Sequence, residues 1–166
     1  MMGQAIKSSN PEADTELVKV PKTKAFCPAC EAYAVTQQSK PIVVMCCEGG
    51  CARGEIARRA ANLLCFKLAR GKTARLCLGG AFTKDTGQRK LARDARRLIA
   101  IEGCFIQCAT RMMQGAIPGL KAEIVVADDH YELEPMPFGL GELSELDANT
   151  CAQKVASHIA SSINTP

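Results

Sequence analysis

Tryptophan is missing from this chain and other aromatics are scarce, with two tyrosines and five phenylalanines in 166 residues. A surface that reads nucleic acid by stacking bases on rings is therefore not expected. Histidine is limited to two residues, and without an ordered Ser–His–Asp pattern a hydrolase triad is not supported. No run approaches the ~18 consecutive apolar residues of a membrane span. The opening residues, MMGQAIKSSNPEADTE, lack a basic start followed by an apolar stretch. No secretory signal is visible, and a cytoplasmic protein is the expectation. GxGxxG and GxxxxGK[ST] are also absent, which removes the dinucleotide fingerprint and the Walker phosphate loop.

Cysteine, by contrast, is abundant, at ten residues. A chain of this length buries an ordinary core without covalent staples. In a reducing compartment the thiols read as metal ligands, reactive groups or small buried hydrophobes sooner than as disulfides.

Net charge is +4, unevenly spread. Residues 53–97 carry thirteen Lys/Arg against three Asp/Glu, and residues 98–166 carry three against nine. The basic residues are interleaved with helix positions and read as a solvated helical surface. That surface can dock an acidic protein partner, while nucleic acid is not expected.

Residues 1–40 read as an N-terminal extension with a CxxC, and 41–166 as an α/β domain expected to bind metal. Residues 1–24 are polar and broken by Pro11 and Pro21, a tail or a strap across the domain. PIVVMCC (41–47) is a β-branched run with Pro41 at its start. EIARRAANLLCFKLARG (55–71) has helical spacing, with Gly71 as its stop. ARLCLGG (74–80) reads as a second strand, 84–97 as a charged helix, and LIAIEGC (98–104) as a third strand. FIQCATRMMQGA reads as a helix, AEIVVADD (122–129) as a fourth strand, and 142–163 as a closing helix. This alternation predicts a mainly parallel four-stranded sheet flanked by helices in a three-layer, Rossmann-like arrangement.

VVMCCEGGCARG now acquires meaning. In a parallel sheet all carboxyl ends meet one edge, where crevices form. Cys46, Cys47 and Cys51 follow strand one, Cys77 strand two, and Cys104 strand three, with Cys108 one helical turn later. Glycines at 49, 50, 54, 79, 80 and 103 leave room for tight turns or close approach to a bound atom. Helix amino ends nearby are expected to lower thiol pKa values. A thiolate metal site drawn from Cys47, Cys77, Cys104 and Cys108, with Cys51 competing for any place, fits this convergence.

CPAC (Cys27–Cys30) stands apart: a structural pair, a metal clasp or a redox pair, in a weak context for the last. It can close over the main site or meet another chain. Cys65 and Cys151 read as core. His130, after Asp128 and Asp129, falls near the ligand edge but reads as an exposed loop histidine, and His158 has less claim on a site.

In order along the chain, CEGGCARGEIA (47–57), CLGG (77–80) and IEGCFIQC (101–108) resemble the DGC domain family, named for an Asp-Gly-Cys segment. The resemblance spans roughly residues 41–132. It singles out Cys47, Gly49, Gly54, Cys77, Gly103, Cys104 and Cys108, and implies zinc binding without implying a reaction. Glu102 stands where the name-giving Asp would be. Glutamate keeps the charge with one methylene more.

A zinc-thiolate protein, able to handle a soft metal or metalloid, is thus the leading expectation. An iron–sulfur cluster ranks below zinc because the usual compact spacing is missing. The rivals are a thiol-redox or sulfur-transfer enzyme using Cys46 or Cys51 beside the metal, and a non-enzymatic interaction module. The terminal helix suits a homodimer interface as well as its own sheet.

Overall fold

A computed structural model describes residues 15–21, 24–135 and 137–164. Most of the expected N-terminal tail lies outside the described residues. Four strands, β1 (Ile42–Cys46), β2 (Thr73–Arg75), β3 (Arg97–Glu102) and β4 (Glu123–Val126), form one sheet. Their order is β2-β1-β3-β4 and every pairing is parallel. The helices are α1 (Pro28–Gln37), α2 (Ala52–Leu63), α3 (Leu78–Thr83), α4 (Gly87–Arg93), α5 (Cys108–Ala116) and α6 (Glu145–Asn164).

The two central strands are buried on both faces because their side chains alternate into two separate cores. Ile42, Val44 and Cys46 of β1 join Ile99 and Ile101 of β3 under α2 and α6. Val43 and Met45 join Leu98 and Ala100 on the opposite face, against α1, α3, α4 and α5. This is the three-layer arrangement that the apolar runs of β1 and β3 imply. Right-handed crossovers demand it, since the chain leaves β1 toward one edge of the sheet and β3 toward the other.

Several boundaries differ from expectation. The second strand stops at Arg75, and the CLGG segment opens helix α3 instead of ending the strand. Leu76 and Leu78 carry the apolar pattern of a strand, but they are buried from the connecting segment and from α3. The charged helix begins only at Gly87, and the last turn after α2, Leu64–Leu68, widens to π geometry. β4 ends at Val126 and gives way to a 3-10 turn at Ala127–His130.

Six arginines of the basic region form ion pairs, some between elements. Arg59 joins Glu55 and Glu145, tying α2 to α6, and Arg97 joins Glu123 across β3 and β4. Among the described residues no helix is long and apolar enough to cross a membrane.

Candidate thiol site at the sheet edge

The chain order reverses between β1 and β3, so the crevice of a doubly wound sheet lies at their carboxyl ends. Two close backbone approaches build it. A Cβ on Gly54 would lie 2.5 Å from the Gly49 carbonyl oxygen. One on Gly103 would lie 2.9 Å from the Arg53 carbonyl. Side chains at these two positions would push α2 off the turns after β1 and β3.

Cys47 is fixed in this junction. Its N–H extends the sheet ladder to the Ile101 carbonyl at 2.9 Å. Burial disfavours its thiolate, the Gly49 and Gly103 N–H groups favour it, and the neighbouring Glu102 and then Cys108 disfavour it. Gly49 separates two thiols, with a Cβ built there lying 3.4 Å from the Cys47 sulfur and 3.9 Å from that of Cys51. Cys51 is the N-cap of α2, and Cys108 opens α5. Cys104 lies in the intervening bend, and Arg53 on α2 holds Asp128 at 2.7 Å.

Helix ends were expected to lower the thiol pKa values here. At Cys47 burial wins, and the two backbone donors only partly offset it, so the thiol is raised. Cys46 is wholly buried and pushed up to about 12 by desolvation, despite the Arg75 guanidinium 2.9 Å from its sulfur. That burial argues against Cys46 as an attacking nucleophile. Cys65 and Cys151 are buried in the core, as their spacing indicated.

Glu102 explains the acidic position before Gly103. Its side chain is fully buried beneath α5 and accepts from Thr110 N at 2.7 Å, Thr110 Oγ1 at 2.6 Å and Ala109 N at 3.3 Å. The carboxylate thus takes donors that the first turn of a helix leaves unpaired. The preceding Gln107 adopts a left-handed conformation, φ 56°, uncommon outside glycine. The Cys104–Cys108 turn is held by these two features, which spacing alone did not reveal.

Cys77 meets a different neighbour. CPAC opens α1, with Cys27 as N-cap and Pro28 in the first turn, although among the described residues no strand precedes it. Cys30 and Cys77 line one cleft together with Gln88. Hydrogen bonds from the Cys30 and Ala29 N–H groups and the Cys30 thiol lower the Cys27 pKa, whereas burial pushes Cys30 up to about 12. Gln88, fully buried, accepts from Cys77 N at 2.9 Å and donates to the Cys30 carbonyl at 2.8 Å. The sequence left open whether CPAC closes over the site; the structure places Cys30 beside Cys77, and a Cys-Pro pair fit to start a helix is the local signal.

His130 stacks on His158 of α6 with ring centroids 4.1 Å apart. Among the described residues no three or more His, Cys, Asp or Glu side chains are gathered closely enough to hold a metal ion. The donor chemistry nonetheless suits a soft ion, because sulfur predominates and backbone N–H groups stand ready at Cys47.

Fold and site together define a parallel α/β protein with thiols at the strand ends. The DGC domain model matches residues 43–155, and the chain belongs to the DGC domain family. No curated protein and no solved structure matches it.

Proposed function

We propose that the protein binds a thiophilic metal ion, zinc first among them, at the carboxyl edge of its sheet. The observation that supports this reading is the approach of Cys47 and Cys51 to Gly49. Cys47, Cys104 and Cys108 supply three sulfurs, and the fourth comes from Cys51 or Cys77. Binding requires the turns after β1 and β3 to draw closer than they stand, and it displaces the proton that burial keeps on Cys47. Affinity therefore rises with pH. When bound, zinc supplies cross-linking of turns that are far apart in sequence. Its positive charge also offsets the cost of holding buried thiolates.

Anaerobic purification followed by elemental analysis tests the proposal. About one zinc per chain is expected for a Cys₄ site, lost in Cys47→Ser and in Cys108→Ser. Cys51→Ser and Cys77→Ser, run in parallel, identify the fourth ligand by which one releases the metal. A metal-free protein that also fails to take up added zinc would overturn the reading.

A further inference from the structure

We infer that Cys27 and Cys30 form a thiol–disulfide exchange centre, with Cys27 as attacking sulfur and Cys30 as resolving sulfur. The pair lies outside the residues 43–155 that define the family, and the inference stands independently of metal binding.

Two observations converge on it. Cys27 and Cys30 lie one helical turn apart at the start of α1, where a Cα separation of about 5 Å falls within the span of a disulfide. Exposure divides the roles, since Cys27 is open to solvent and Cys30 is partly covered. Cys27 borders a cleft of about 220 Å³ with Phe26, Thr83 and Lys84, which gives a small disulfide somewhere to sit.

The helix that carries the pair is anchored. Glu31 accepts from Gly87 N at 2.9 Å, Tyr33 Oη accepts from Arg75 N at 2.9 Å, and Gln88 closes the third link. Exchange chemistry needs such anchoring, because the second attack must find the first sulfur in line.

The reaction balances without a cofactor. The Cys27 thiolate attacks one sulfur of a substrate disulfide, whose partner leaves as a thiolate and takes up the proton Cys27 released. Cys30, losing its own proton, then attacks the Cys27 sulfur and expels the remaining substrate thiolate. The protein gains one S–S bond for two S–H bonds, and the substrate disulfide becomes two thiols.

The test uses the full-length protein as purified, titrated with glutathione disulfide against glutathione, acid-quenched and mapped by mass spectrometry. The expected result is a reversible Cys27–Cys30 disulfide in the wild type. Cys30→Ser should accumulate one glutathione at Cys27, and Cys27→Ser should form neither species while keeping the wild-type zinc content. The inference is overturned if both thiols stay reduced throughout, or if Cys30→Ser takes glutathione elsewhere as fast as at Cys27. It is equally overturned if Cys27→Ser releases zinc, because the pair is then a metal clasp.

Discussion

Glu102 and Thr110 are joined twice, through the threonine N–H at 2.7 Å and its hydroxyl at 2.6 Å, in a place with no access to water. One carboxylate thereby fixes the first turn of α5 to the end of β3, with Cys104 and Cys108 on either side. Glu102→Ala would strand buried donors, and a loss of about 1–3 kcal/mol is expected. Glu102→Gln keeps an acceptor and should lose less. Glu102→Asp, one methylene shorter, should fall between the alanine variant and the wild type. Denaturant unfolding measures the series, and an alanine variant within ~0.5 kcal/mol of wild type would refute the role.

Gly103 and Gly50 offer a matched contrast. A methyl at Gly103 meets the Arg53 carbonyl carbon and oxygen at 2.9 Å, whereas one at Gly50 meets nothing within 4 Å. Gly103→Ala should therefore cost about 1–3 kcal/mol through overpacking against backbone. Gly50→Ala should stay within ~0.5 kcal/mol. Equal effects at the two sites would show that the tight junction between α2 and β3 does not set the geometry.

What the sequence disclosed follows from how local each cause is. β1 and β3 were legible because burial on both faces writes itself as an uninterrupted apolar run. Helix α3 was not, since Gly79 and Gly80 are poor helix formers. Its start at Leu78 follows Cys77, whose N–H is tied to Gln88, eleven positions on. The gathering of cysteines at one sheet edge was legible from topology. That CPAC closes over this edge was one of two open readings, and which thiol it meets depends on where α1 docks. Glu102 was recognised as an acidic position, but its partners lie seven and eight residues ahead on a helix whose start the spacing placed three residues too early.

The histidine stack carries a pH signature. Burial, then the neighbouring His158, lowers the pKa of His130, with Asp129 acting the other way. The unfolded chain, at about 6.5, then binds more protons than the folded one over the interval below that value. Stability must fall as pH drops from about 6.5 through the folded pKa of His130. His130→Gln should narrow the gap in melting temperature between pH 7.5 and 5.5. An unchanged gap would mean that the stack does not contribute.

Gln88 is the residue on which the docking of CPAC turns. Its amide satisfies the Cys77 N–H and the Cys30 carbonyl, while α1 places only Ala34 in the core. A helix with so little apolar burial depends on polar anchors for its position. Gln88→Ala removes a buried amide and leaves both backbone groups without it, at a cost of about 1–3 kcal/mol. Gln88→Glu can still accept from Cys77 but cannot donate to Cys30, so it should loosen α1 as well. Hydrogen exchange resolves the effect by segment. Amides of Pro28–Gln37 should exchange faster by about tenfold for each 1.4 kcal/mol lost, while those of α2 change less. Uniform acceleration across both helices would instead make Gln88 a general core residue and remove its particular hold on the dithiol.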